Sequence, residues 1–193
     1  DLADAAARLD TGGIAYVDTE HLCPPLGALF ALRPVLGLRT VVNSLARSLN
    51  PAEAPAQMIG VFHPPYRVLQ RGVAELTGQA RAAIFTGGGG EAQRNPLKAC
   101  KVAFVRDGAG GDEEWPALLP GVDYRWREED LSPGRVGALW RGEIDFAAPV
   151  AAITGTVALA LRVLGRANDA PTAQAMAEAM WANRPRLKYS AAA

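Results

Sequence analysis

Three arginines, Arg33, Arg39 and Arg47, stand in the otherwise apolar segment RPVLGLRTVVNSLARSLNP, which ends at Asn50-Pro51. A guanidinium offers a planar fork of donors that fits carboxylate and phosphate oxygens, so Arg33 and Arg39 are candidate anion ligands, Arg33 the better one, and Arg47 is a similar candidate. The competing reading leaves one arginine on the surface and pairs the other with a structural acid. Farther along, Gly87, Gly88, Gly89 and Gly90 run into Glu91, and Arg94 follows. Consecutive glycines can aim backbone N–H groups at an anion with no side chain in the way. A plain flexible turn has the same composition. No Lys-Ser/Thr follows the run and its spacing is not GxGxxG, so neither nucleotide-binding fingerprint is present. Glu91 is the one carboxylate of the turn and suits Mg²⁺ only if phosphate oxygens complete the shell.

Other chemistries find less support. His21 and His63 are the only histidines, and neither has zinc-ligand spacing to the other or to a cysteine pair. No GxSxG elbow is present, which argues against an acyl-transfer hydrolase. Asn43 reads as a side chain satisfying backbone groups around its own helix. The acidic clusters 112–114 and 128–130 read as solvated loop, and Trp115, Trp126, Trp140 and Trp181 as core.

These residues need elements to hold them. IAYVD reads as a strand, HLCPPLGALFALRPVLG as a helix broken near Pro34, and residues 40–49 as a second helix stopped by Asn50-Pro51. MIGVF is an apolar strand, and Pro64-Pro65 open a helix whose stripe would be Leu69, Val73 and Leu76, with Gly78 as its cap. RAAIF returns as a strand, so a parallel β-α-β unit is predicted, and KVAFV is a further strand after the glycine run. Residues 107–135 read as loops with one strand at 123–127. Helices are predicted at 149–164 and after the Asn168-Asp169 cap signal. The fold class expected is α/β, with a mostly parallel central sheet flanked by helices. Anionic ligands bind at strand ends of such sheets.

With 193 residues, 49% hydrophobic and 21% charged, the chain suits one sizeable domain over 1–193. Twenty basic residues balance twenty acidic ones, so any anion site must be a local patch. Cys23 and Cys100 read as free thiols of a reducing, cytoplasmic compartment. AAPVAAITGTVALALRVLG is too polar and too short for a membrane span and reads as a core helix. No signal peptide opens the chain, and its helical start suggests a trimmed domain.

LGLRTVVNSLARSLNP resembles the stretch LGxRTxFNxxGPLTNP of the anthranilate phosphoribosyltransferases, which belong with the pyrimidine-type nucleoside phosphorylases. MIGVF, its helix and RAAIFTGGGGE continue the same order, and GTVALALRVLG resembles the family's late helix. The resemblance implies an α/β domain whose strand ends face a phosphoribosyl pyrophosphate site with Mg²⁺. It also implies a homodimer formed through an N-terminal helical part, with this chain as the C-terminal, larger domain. Arg33 matches the arginine that holds the anthranilate carboxylate; Arg39, Thr40, Asn43, Asn50 and Pro51 match framework positions.

The departures matter as much. The family's GTGGD loop would lie upstream of Asp1. Cys23-Pro24-Pro25-Leu26 stands where the family has His-Pro-Ala-Met, and Ala46-Arg47 where it has the Gly-Pro bordering the aromatic substrate. The Asp-Glu metal pair falls on Ala92-Gln93. These changes resemble the divergent YbiB-like branch, associated with nucleic-acid binding. Loss of the acid pair removes the means of holding Mg-pyrophosphate, while Arg47, Arg94 and Lys98 would keep a positive groove for single-stranded nucleic acid. The alternative implied is a working phosphoribosyl transferase acting on an aromatic or heterocyclic amine.

Overall fold

The computed structural model describes residues 2–38, 40–125 and 132–186. Arg39, and residues 126–127 of the strand expected at 123–127, lie outside the described residues; 123–125 are not strand. Two compact units, residues 1–55 and 56–193, are described in turn.

The first unit is helical. Helices α1 (Leu2–Gly12), α2 (Thr19–Leu22), α3 (Pro24–Phe30), α4 (Arg33–Leu36) and α5 (Val42–Ser48) follow one another. The strand expected at IAYVD does not form. No described strand lies beside it, and a strand without a partner cannot satisfy its backbone. Asp18 instead caps α2 by accepting a hydrogen bond from the Glu20 N–H at 2.7 Å. The prolines start helices, at the first turns of α3 and of α4, where no amide donor is missed. Gly37, at φ 65°, ends α4.

The second unit carries a four-stranded sheet in the order β1 (Ala56–Val61), β2 (Arg81–Thr86), β3 (Cys100–Arg106), β4 (Ala109–Trp115). Helix α6 (Pro65–Leu76) connects β1 to β2, which pair in parallel. The α/β class with flanking helices is therefore as expected, but the mostly parallel sheet is not. Both β2–β3 and β3–β4 are antiparallel. The cause is the connections: residues 87–99 contain only a short 3₁₀ turn, Gly88–Gly90, and no crossover helix. The stretch read as loop from residue 107 holds β4 instead. Asp107 and Gly108 both take positive φ, 50° and 81°, the hairpin geometry that an Asp-Gly pair favours.

Residues alternate across the sheet. Ala83, Phe85, Val102, Phe104 and Trp115 join Ala158, Leu159 and Val163 of α8 (Ala147–Val163) and Ala173 and Ala177 of α9 (Ala170–Ala182) in one core. Ile59, Val61, Ala82, Ile84, Ala103 and Val105 face the other way, against Ala74 of α6. Asp169 caps α9 by accepting from the Thr172 N–H, as its sequence signal predicts. A further helix, α7 (Pro133–Arg141), opens on a Ser132 cap and ends at Gly142 with φ 79°.

The stripe assigned to α6 is corrected. Leu69 and Leu76 are exposed, Leu76 by 90%, while Gln70 and Ala74 are buried. Arg67 and Arg71 reach over the sheet, to the Lys101 carbonyl and to Asp112 at 2.7 Å. Small Ala74 lets the helix come close, and the long arginine stems cover the neighbouring strands. Among the described residues no helix is long and apolar enough to cross a membrane. Cys23 and Cys100 are free thiols.

Candidate functional site at the strand ends

Parallel β1 and β2 end side by side, with Val61 opposite Thr86. The chain leaving β2 becomes the glycine turn, which is tied to β1 where the Gly87 N–H donates to the Val61 carbonyl at 3.2 Å. The turn closes on itself. Gly88 N–H donates to Gln93 O, Gly90 N–H to Gly87 O and Glu91 N–H to Gly88 O, and Gly87 bridges Arg94 across the base. These donors are spent internally, so of the N–H groups that the sequence suggested could meet an anion, that of Gly89 is the one with no described acceptor.

Two glycines are demanded by packing. A Cβ on Gly87 or on Gly60 would fall well under 3.0 Å from the Glu91 carbonyl, a distance real side chains do not reach. Gly60 escaped the sequence reading, yet a lone glycine inside MIGVF signals close backbone approach. Gly88 has open space around it, and Gly89 needs its glycine for φ 63°.

A second residue that sequence reasoning missed is Thr86. Its hydroxyl is buried at the end of β2 and has no hydrogen-bond partner among the described residues. A buried hydroxyl left unpaired costs about 1–3 kcal/mol, and such costs persist at sites that meet a ligand. On the neighbouring strand end stand Phe62 and His63, their rings edge to face at 4.7 Å.

Arg94 does not point into this space. It is 1% exposed; its guanidinium donates to the Pro116 carbonyl at 2.5 Å and to Gln174 Oε1 at 3.4 Å, and lies 5.1 Å from the Trp115 ring centre. Gly155 makes room for its stem, since a Cβ there would sit 3.0 Å from Arg94 Cδ. Burial presses its pKa below the ordinary arginine range. The same burial raises the Cys100 thiol, against the opposing pull of Arg94 and Arg67. Lys98 and Glu91 are exposed.

In the first unit, Arg33 opens α4 in an exposed position and Arg47 lies half-buried in the last turn of α5 with a partner of its own. Asn43 accepts from the Thr40 N–H at 3.1 Å, a helix-start bond that agrees with its structural reading. Asn50 clamps Ala54 through both ends of its amide. Among the described residues no three His, Cys, Asp or Glu side chains gather as a metal-binding group. Glu91 alone does not fit a protein-held magnesium ion.

No protein-family model matches this chain. Over 105 residues, 54% of the chain, it is 34% identical to the anthranilate phosphoribosyltransferases of Burkholderia cenocepacia (strain HI2424) and Burkholderia multivorans (strain ATCC 17616 / 249), and the match spans 30% of each. Its fold is similar to that of the anthranilate phosphoribosyltransferase of Thermus thermophilus, with TM-score 0.64 at 22% identity, over 82% of this chain and 48% of that one. The chain thus spans under a third of the curated relatives it matches and about half of the solved one.

Proposed function

We propose that this chain, which belongs with the anthranilate phosphoribosyltransferases over the matched half of its length, holds a sugar-phosphate ligand at the joined ends of β1 and β2 and has lost the family's anthranilate chemistry. The observation that carries the binding half is the unpartnered Thr86 hydroxyl, buried beside a glycine turn that packs against Gly60. A phosphate or ribose oxygen supplies the partner it lacks. Gly89 N–H is a second donor, and Gly88 leaves the approach open. The loss of chemistry rests on Ala92-Gln93 standing in place of two carboxylates. Magnesium, where it accompanies a pyrophosphate, would take Glu91 as one ligand at most.

Nucleic-acid binding through the same strand ends is the second reading, favoured by exposed Lys98. It is the weaker one, because Arg94, one of the cations assigned to its groove, is walled in by Pro116, Gln174 and Trp115.

The experiment titrates the full chain with phosphoribosyl pyrophosphate and, separately, with a single-stranded oligonucleotide at several salt concentrations. Saturable phosphoribosyl pyrophosphate binding is expected, weakened about tenfold in Thr86→Val, while that variant's urea midpoint stays or rises because an unpaired hydroxyl has gone. No saturation by phosphoribosyl pyrophosphate, or equal affinity in Thr86→Val, overturns the first reading. Tight, salt-steep oligonucleotide binding selects the second.

A further inference from the structure

The strongest unassigned feature lies where α7, the start of α8 and the end of α9 meet. A cavity of about 290 Å³ is lined there by Leu139, Val150, Asp145, Trp181, Arg184 and Arg186, among others. Its two guanidiniums are arranged differently. Arg184 is pinned: it donates to the carbonyls of Trp140 at 2.6 Å, Trp181 at 2.8 Å and Leu139 at 3.1 Å, and lies 3.8 Å from the Trp181 ring centre. The three carbonyls take three of its five N–H donors and leave two donors and its charge. Arg186 is exposed and has no hydrogen bond or ion pair among the described residues. Burial lowers the Arg184 pKa from the ordinary arginine range, and the neighbouring charge of Arg186 lowers it further.

Two adjacent cations are costly unless something negative stands near them. The one carboxylate in the lining is Asp145, and among the described residues it forms no ion pair with either arginine. Two guanidiniums against one carboxylate leave the cavity net positive. The first turn of α8, which follows Asp145 closely and has no side-chain cap, adds the positive end of a 17-residue helix. Leu139 and Val150 add a narrow apolar strip to a lining that is otherwise mostly polar.

We infer that this cavity is a binding site for a compact organic anion, one carboxylate or phosphate head on a short apolar body. The head meets Arg186 and the outer edge of Arg184, and the body lies against Leu139 and Val150. Pinning of Arg184 by three carbonyls means that no ordering of its side chain is required on binding.

The test titrates the full chain with phenyl phosphate, benzoate and inorganic phosphate, following tryptophan fluorescence, to which Trp181 contributes from the cavity wall. Saturation by phenyl phosphate or benzoate is expected, tighter than by inorganic phosphate, and whichever binds better names the head group. Arg186→Ala should weaken it about tenfold with an unchanged thermal melt, because the residue is exposed and holds nothing else in place. Asp145→Asn should tighten it, a direction that a merely structural role would not produce. Thr86→Val, at the strand-end site, should leave it unchanged. Absence of saturation by both organic probes, or equal affinity in Arg186→Ala, overturns the inference.

Discussion

The guanidinium of Arg94 stands 5.1 Å from the ring centre of Trp115, inside the protein, with the Pro116 carbonyl as its short-range acceptor. A residue whose type suggested a ligand contact is thus a strut joining the glycine turn to the chain after β4 and, through Gln174, to α9. Arg94→Ala should lower the unfolding free energy by about 3 kcal/mol, from lost packing and a lost charged hydrogen bond. Urea denaturation measures it. An unchanged midpoint together with weaker phosphoribosyl pyrophosphate binding would return Arg94 to the ligand.

The glycines of the turn should separate by position. Gly87→Ala should cost about 2 kcal/mol, because the Glu91 carbonyl has to move and carries the closed turn with it. Gly88→Ala meets open space at negative φ and should change stability by no more than about 0.5 kcal/mol. Thermal melts of the two variants side by side decide this, and equal losses would count against the packing account.

Glu113 ties the hairpin to α8. Its Oε1 accepts from Arg106 at 2.5 Å and Arg162 at 2.6 Å, and its Oε2 from the Trp115 indole at 3.0 Å. Burial acts to raise its pKa, but the bonds from Arg106, Trp115 and Arg162 together outweigh burial and hold the carboxyl below the usual range. With a folded-state pKa below the unfolded one, the stabilisation is complete above about pH 4.3 and fades as pH falls through the folded value. Glu113→Gln should therefore cost about 2 kcal/mol at neutral pH, and the gap from wild type should narrow on acidification below about pH 4. Urea midpoints across that window test the sign.

Helix α6 offers a contrast in the opposite direction to its apolar pattern. Leu76→Lys, at a position 90% exposed, should shift stability by no more than about 0.5 kcal/mol. Ala74→Leu, at 4% exposure against Ile59 and Ile84, should cost about 1–3 kcal/mol by overpacking. A large loss in Leu76→Lys would restore the apolar stripe to the core.

Much of this was legible in the chain. The β1-α6-β2 unit, its parallel pairing, β3, the Asp169 cap and the two closing helices follow from strand-length apolar runs and capping residues, which are local signals. Local signals that went unread were legible too: Asp107-Gly108 marks the hairpin, Ser132-Pro133 opens α7, and the glycine within MIGVF marks the close approach. What the sequence determined alone was therefore the elements with strong local signals and the kinds of donor each one carries.

Only the tertiary structure decided how those donors are used. Whether an arginine faces solvent or fills the core depends on what packs over it, and for Arg94 that is Trp115, Gln174 and the space left by Gly155, residues distant from it in sequence. Whether IAYVD is a strand depends on a pairing partner, and whether Leu76 is core depends on which side of α6 meets the sheet. Burial and pairing are properties of the neighbours, so no period within a segment can fix them.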